Sequence, residues 1–313
     1  MRIVHGLDAL PLEDERSVVT VGFFDGVHLG HREVLRATVD DARVREARSV
    51  AITFDRHPRE VLTPADVPRL LTTVERRASL IRTTGIDVLV VLEFTSEFSK
   101  VSAEDFVENV LVRGVHGVHA RMGANFTFGH KATGNVESVK ELGAPYGLTA
   151  EGVSLVEVDG RTVSSSSVRA ALSAGDLSWP FTALGRRFVV DGEIVAGAGR
   201  GAGLGFPTAN LRTWPRLLLP GQGVYAGAAE LPDGRSYLAA IDVGTNPTFG
   251  VEPLHVEAFL LDYEGGEIRG EALAVEFWER LRDEVKFGSV DELVRAIAED
   301  VERTRAIVGA REA

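Results

Sequence analysis

The apolar positions in the first half of the chain change period along the sequence. Ser17 to Phe23 and Ser49 to Phe54 are short, nearly continuous apolar runs, which predicts strands buried on both faces. Between them, His31 to Glu46 repeats with the helical period and sets Leu35, Val39 and Ala42 on one face. A Thr72-x-x-Glu75 capping box opens a further helix, Asp87 to Glu93 reads as a strand, Ser102 caps another helix, and a strand lies around Gly117 to Met122. Strands alternating with helices predict an open parallel α/β sheet of the Rossmann-like, nucleotide-binding kind.

From Phe188 onward the pattern becomes short β-like runs broken by Gly, Pro and Asp. Phe188 to Val195, Gly223 to Leu231, Tyr237 to Val243, His255 to Asp262 and Ala272 to Glu276 are the expected strands, with turns such as Pro232-Asp233-Gly234 and Glu264-Gly265-Gly266 between them. This predicts an antiparallel β-barrel or sandwich. A terminal helix opens at the box Ser289-x-x-Glu292 and is expected to bury Leu293, Ile297 and Val301, while Arg280 and Arg282 are placed, solvated, on a helix before Lys286. Gly, Pro and Ser gather between Ser173 and Gly185, so the predicted domains are residues 1–184 and 185–313.

Composition narrows the function classes. A length of 313 residues suits two domains. A formal net charge of −12 argues against a nucleic-acid binder, which needs a basic face, but leaves room for a local nucleotide pocket. No apolar stretch approaches the roughly 20 residues that span a bilayer. The N-terminal segment carries Glu13-Asp14-Glu15 and no long apolar core, so no signal peptide is expected. With no cysteine, disulfides, thiolate metal sites and a cysteine nucleophile are excluded, and a cytoplasmic address is expected. A homo-oligomer is left open and is not predicted.

The first chemical candidate is Gly22-Phe23-Phe24-Asp25-Gly26-Val27-His28-Leu29-Gly30-His31. The segment His28-x-Gly30-His31 follows a strand and opens a helix, so both imidazoles stand where N-terminal helix amides favour an anion. Their spacing puts them on one turn, close enough to share a phosphate. Gly22, Gly26 and Gly30 permit tight turns and close backbone approach, and with Phe23 and Asp25 they are candidate ligand-contacting positions. The bland alternative is a helix cap that binds nothing.

These residues resemble bacterial bifunctional riboflavin kinase/FAD synthetases, and His28-Leu29-Gly30-His31 is the pattern of the wider nucleotidyltransferase superfamily. The resemblance continues through Thr53-Phe54-Asp55-Arg56-His57-Pro58, Gly123-Ala124-Asn125-Phe126-Thr127-Phe128-Gly129 and Val163-Ser164-Ser165-Ser166-Ser167-Val168-Arg169. It implies that the first half adenylylates FMN with ATP. On the matching positions it implies that His28 and His31 contact ATP phosphates, that Asn125 organises the active site, and that Arg161, Ser164 and Arg169 lie near the nucleotide. Phe106 and Phe128 are flavin neighbours or simple core. Arg56 stands where the family often has proline, Thr127 and Ser167 where arginine is frequent, and Ser166 where threonine is; individual phosphate and flavin contacts depend on these positions. His57, before a proline, is a turn residue outside the catalytic set.

The second candidate is Gly199 to Gly205, four glycines in seven residues whose amides can turn toward an anion. Alone it would be a flexible hairpin. Pro207-Thr208-Ala209-Asn210 follows, and on an extended segment Thr208 and Asn210 point to one side, offering the hard oxygen ligands that Mg²⁺ accepts. This stretch resembles the riboflavin kinase signature, with Gly199, Gly201, Gly205 and Pro207 as its nucleotide-contacting positions, and Gly244-Thr245-Asn246-Pro247-Thr248-Phe249 resembles its companion. A ribityl hydroxyl is a weak acid that benefits from a general base; Glu257 aligns with the family's catalytic glutamate, although pattern alone reads it as a solvent-facing strand residue.

The resemblance therefore implies riboflavin to FMN, then FMN to FAD, with ATP as co-substrate and Mg²⁺ in both steps. One alternative makes the first half a cytidylyl- or pantetheine-phosphate-type transferase, which leaves the second half unexplained. Another makes the second half a flavin-binding sensor, which needs neither Thr208 and Asn210 nor Glu257.

Overall fold

Val88 to Leu92 is buried at every position, as a strand covered on both sides must be. It is β4 of a six-stranded sheet that also contains β1 (Arg2–His5), β2 (Ser17–Val21), β3 (Arg48–Phe54), β5 (Gly117–Gly123) and β6 (Thr149–Val153). The order is β1-β4-β3-β2-β5-β6, with every neighbouring pair parallel. Alternate residues feed two cores: Val50, Ile52, Val88 and Val90 on one face, Ala51, Leu89 and Val91 on the other. Helix α1 (Leu29–Val44) covers the second face and buries Leu35, Val39 and Ala42 as expected. The short α2 (Arg59–Leu62) and α3 (Val74–Arg82) follow; α3 begins later than the Thr72 box predicts.

Ser102 caps α4 (Ala103–Asp105), accepting the Asp105 N–H at 2.9 Å, but the helix then widens to a π-helix over Phe106–Val112. Helix α5 (Val136–Gly143) precedes β6, and an antiparallel ribbon of β7 (Glu157–Val158) and β8 (Arg161–Thr162) follows it; the sequence pattern had not marked these.

The computed structural model describes residues 1–197, 203–245 and 254–309. One compact unit comprises Met1–Pro68 and Val74–Ser165, the other Arg69–Thr73 and Ser166–Ala313. Both sets of candidate chemical residues fall on the same sides under this division and under the expected 184/185 boundary, except Arg169, which belongs to the second unit.

The second unit opens with α6 (Ser165–Ser173), whose first residue closes the first unit, and α7 (Ser178–Leu184). Its centre is a closed barrel of β9 (Phe188–Val195), β10 (Ala209–Thr213), β11 (Gly223–Glu230), β12 (Ser236–Gly244), β13 (His255–Leu260) and β14 (Ala272–Arg282). The closed order is β10-β13-β12-β11-β14-β9, antiparallel throughout.

Strand β10 is short and carries Asn and Arg, so its apolar pattern was too brief to mark it. Strand β14 runs on to Arg282, which corrects the placement of Arg280 and Arg282 on a helix. Neither is simply solvated: Arg282 makes a bidentate pair with buried Asp300, and Arg280 donates to the Gln222 carbonyl and pairs with Asp283.

The terminal helix α8 (Val290–Val308) starts at Ser289, whose hydroxyl accepts the Glu292 N–H at 3.3 Å. It packs on β11, β12 and β14 through Val308, with Val224, Ala226, Ala228 and Leu281. Its fully buried stripe is Asp300, Thr304 and Val308, while Leu293, Ile297 and Val301 are only half-buried. The phase shifts because Asp300 reaches inward to Arg282.

Candidate functional sites in the two units

In the first unit the winding reverses between β2 and β5, and ligands of open α/β sheets bind at the carboxyl ends of strands where that reversal occurs. The segment leaving β2 leads directly to the histidine pair, and Asn125 lies exposed in the turn leaving β5. Strand β2 ends at Val21, short of the expected Phe23, because the chain leaves the extended region: Phe24, Gly26 and Val27 have φ of 55°, 77° and 41°. Left-handed backbone is natural for Gly26 and strained for β-branched Val27, so the surrounding structure holds this turn in place.

His28 is the N-cap of α1, its Nδ1 accepting the His31 N–H at 3.3 Å. That bond puts the ring proton of His28 on Nε2. The two rings stack with centroids 3.6 Å apart and planes 18° from parallel, and Phe24 meets His31 edge-on. A Cβ at Gly30 would sit 3.2 Å from His28 Cε1, and one at Gly22 would sit 2.8 Å from the Phe24 ring. These two glycines therefore make room for neighbouring side chains, while Gly26 serves the turn. Buried Asp25 accepts a hydrogen bond at its carbonyl from Ser165 Oγ, 3.0 Å away.

Phe106 and Phe128 are buried, their centroids 5.3 Å apart in an aromatic row that runs from Phe54 through Phe94 and Phe98 and ends at half-exposed Phe126. Arg161 is exposed on β8 and Ser164 half-buried before α6. Arg169 donates from Nε to the Arg69 carbonyl. Among the departures from the family pattern, Arg56 pairs with its neighbour Asp55, and Ser167 Oγ accepts the Trp179 indole N–H. His57 Nδ1 accepts the Arg59 N–H, as a turn residue does. The sequence reading passed over Arg77, which is 1% exposed and bonded to the Phe23 and Phe54 carbonyls. Its one signal is helical phase, since it shares a stripe with Ala78 and Ile81.

In the barrel, Thr208 Oγ1 donates to Glu257 Oε2 at 3.0 Å, and Asn210 sits opposite Glu257 in the β10–β13 register. Asn210 Nδ2 lies 3.5 Å from Thr208 Oγ1. A Cβ at Gly197 would fall 2.2 Å from Asn210 Nδ2, so glycine there is what lets the amide lie against β9's exit. Gly205, Pro207, Thr208 and Asn210 line a cavity of about 620 Å³, walled on another side by Phe259 and Tyr263. Gly205 has φ of 88° and open space where a Cβ would be, so its glycine answers to backbone conformation. Gly199, Gly201 and the segment Asn246-Pro247-Thr248-Phe249 lie outside the described residues.

Glu257 also faces two groups that pattern did not single out. His255 Nε2 is 3.4 Å from Glu257 Oε1, a hydrogen bond that holds the imidazole above its usual pKa against the opposing effect of burial. Asp242 lies opposite Glu257 in the β12–β13 register. Burial, then the Glu284 and Glu257 carboxylates, push Asp242 up to about 6. Among the described residues no three His, Asp or Glu side chains are arranged to hold a metal.

Residues 10–167 match the family model for FAD synthetase and residues 184–308 that for riboflavin kinase. A bifunctional riboflavin kinase/FMN adenylyltransferase of Pseudomonas fluorescens is 35% identical over 308 residues, covering 98% of each chain. The same-named protein of Listeria monocytogenes is 33% identical over 298 residues, covering 94% of this chain and 93% of its own. A crystal structure described as a macrolide-efflux protein from Streptococcus pneumoniae superposes with a TM-score of 0.87 at 29% identity, over 97% of this chain and 99% of that one. No helix among the described residues is long and apolar enough to cross a membrane. Two family models match in tandem and the relatives match nearly end to end: the chain belongs to the bifunctional riboflavin kinase/FMN adenylyltransferase family.

Proposed function

We propose that the two activities divide between the two units, the open sheet adenylylating FMN and the barrel phosphorylating riboflavin. The chain is a bifunctional enzyme of flavin cofactor synthesis: with ATP it converts riboflavin to FMN, and with a second ATP it converts FMN to FAD and pyrophosphate. The observation that carries the division is that His28 and His31 fall in one unit, and Thr208, Asn210 and Glu257 in the other.

In adenylylation the FMN phosphate attacks the α-phosphorus of ATP and pyrophosphate departs. A phosphate monoester is already ionised at neutral pH, so placement and charge stabilisation suffice. The cap bond leaves His28 Nε2–H as a donor, and His31 stacked on it brings a second ring to the same phosphates beside the N-terminal amides of α1. In this reading Asn125, at the other lip of the switch point, orders the reacting groups. Arg161 and Ser164 serve the nucleotide, and Phe106 and Phe128 back the flavin through their aromatic row.

In the kinase step Glu257 takes the proton of the ribityl hydroxyl as that oxygen attacks the γ-phosphorus of ATP, the bond from that phosphorus to the bridging oxygen breaks and ADP departs. A hydroxyl has one proton and two lone pairs; Thr208 spends the proton on Glu257, accepts from Asn210 Nδ2 on one lone pair and keeps the other for a cation. Thr208 Oγ1 and Asn210 Oδ1 are neutral hard oxygens on side chains that meet through Asn210 Nδ2, the amide seated by the space at Gly197, and this donor set fits a Mg²⁺ that retains waters and phosphate oxygens. Bound there, Mg²⁺ would neutralise charge on the ATP phosphates. ATP and free flavins as substrates go with the cytoplasm as the working compartment.

The experiment is a chromatographic time course of purified protein with riboflavin, ATP and Mg²⁺. FMN followed by FAD is expected; FMN alone would overturn the assignment of the sheet, and unchanged riboflavin that of the barrel. Fragments of residues 1–184 and 185–313 test the division itself: each should keep one reaction, and loss of both in folded fragments would refute independence.

A further inference from the structure

We infer that Arg77 is a positioning residue for the adenylyl-transfer site, holding the strained turn that presents His28 and His31. The inference rests on the phosphate-binding reading of those histidines. Arg77 lies on α3, away from every motif of the family pattern, yet it is 1% exposed. Its Nη1 donates to the Phe23 carbonyl at 2.7 Å and its Nη2 to the Phe54 carbonyl at 2.8 Å. The first carbonyl follows β2 and the second ends β3, so one planar guanidinium ties the exits of adjacent strands at the carboxyl edge of the sheet. The same group lies 4.3 Å from the centroid of the Phe23 ring, which also makes an edge contact with His57.

The tie falls where the backbone most needs it. Phe23 is followed at once by Phe24 in the left-handed region, then Gly26 and Val27 at positive φ, then the His28 cap. Residues in such conformations relax unless their surroundings over-determine them. Here the Phe23 carbonyl accepts two hydrogen bonds, from Arg77 and from Thr53 Oγ1 at 3.0 Å, which fixes the peptide plane from which the turn departs. Phe24 in turn packs its ring against His31 at 5.3 Å. Displacement at Phe23 therefore passes through Phe24 to the stacked imidazoles. Burial lowers the Arg77 pKa to about 10, with Asp25, Asp55 and Glu75 opposing the change, so the guanidinium remains charged at neutral pH. A charged donor gives the stronger kind of hydrogen bond to those carbonyls.

The test uses the full chain, which carries its own control in the kinase activity. Arg77→Met keeps the apolar stem and removes both donors; FMN adenylylation should fall about 10- to 100-fold, the size of effect that small misplacement of reacting groups produces. Riboflavin phosphorylation should be unchanged, since its residues lie in the other unit. A role exerted through His28 also predicts non-additivity: in a His28→Asn background, Arg77→Met should cost little more, whereas general damage would multiply the two losses. Full adenylylation by a folded Arg77→Met chain, loss of both activities together, or multiplicative losses would each overturn the inference. Should Arg77→Met not fold, Thr53→Val removes the second donor to the same carbonyl and must lower adenylylation alone; no change in that variant would also overturn it. His28→Asn by itself judges the underlying reading: full adenylylation there would refute phosphate binding by the pair whatever Arg77 does.

Discussion

Thr208 and Glu257 are joined by a hydrogen bond of 3.0 Å, so the residue proposed to hold the cation and the residue proposed to take the substrate proton share one proton between them. Glu257→Gln keeps an oxygen able to accept from Thr208 and removes the basicity. Riboflavin phosphorylation should fall by about 10²- to 10⁴-fold, the usual contribution of a positioned base, while FMN adenylylation by the same preparation stays constant. Initial rates of both reactions by chromatography decide it. A Gln variant with full kinase activity would take the base role away from Glu257.

Asp242 gives the barrel a pH-dependent weakness. Its pKa rises from 3.8 in the unfolded chain to about 6 in the fold, through burial and the Glu284 and Glu257 carboxylates. Below 3.8 both states carry the proton; between 3.8 and about 6 only the folded state keeps it, so stability falls as pH rises through that window. Near neutral pH the ionised carboxylate costs on the order of 3 kcal/mol, which Asp242→Asn removes. All three tryptophans, Trp179, Trp214 and Trp278, lie in the second unit, so their fluorescence during denaturant unfolding follows that unit alone. The Asn variant should unfold at higher denaturant at neutral pH, with the advantage vanishing near pH 4; equal gains at both pH values would refute this account.

What was legible in the sequence follows from how local each signal is. Val88 to Leu92 could be read as a buried strand because every position is apolar, and Ser289 and Glu292 because a cap is local chemistry. The His28 to His31 site was readable for the same reason, being a strand, a turn and a helix N-terminus in continuous sequence. Strand β10 escaped notice because its assignment depends on β9 and β13 on either side, and β14 was cut short because its later residues are charged. Arg77, Gly197 and Asp242 act on groups distant in sequence, and only the folded chain brings those partners together. Arg282 was hidden in the same way, reading as a solvated charge until the fold pairs it with Asp300.

That pair supplies a stability prediction. Asp300 is 4% exposed and accepts from Arg282 at 3.2, 3.1 and 2.8 Å, tying β14 to α8. Arg282→Met leaves a buried carboxylate without its cation and should cost about 3–5 kcal/mol. Adding Asp300→Leu should restore much of the loss, because two apolar groups ask for no compensation. Tryptophan-monitored unfolding of the two variants measures both steps. A single variant as stable as wild type would mean that the pair contributes little to holding α8.

Gly197 tests the seating of Asn210 without touching a proposed ligand. An alanine Cβ would lie 2.2 Å from Asn210 Nδ2 and 2.4 Å from its Cγ, closer than any contact can be, and the amide is the part free to move. Gly197→Ala should therefore displace Asn210 from Thr208 while β9 and β10 keep their ladder, whose partner for Asn210 is Val195. If the two oxygens jointly seat Mg²⁺, the variant should need more Mg²⁺ for half-maximal riboflavin phosphorylation, by roughly tenfold or more, the scale on which altered support of a metal ligand acts. Adenylylation of FMN at the same Mg²⁺ concentrations is the control and should not change. An unchanged Mg²⁺ requirement for the kinase, with the alanine in place and the barrel folded, would separate Asn210 from the cation and leave Thr208 as its protein ligand.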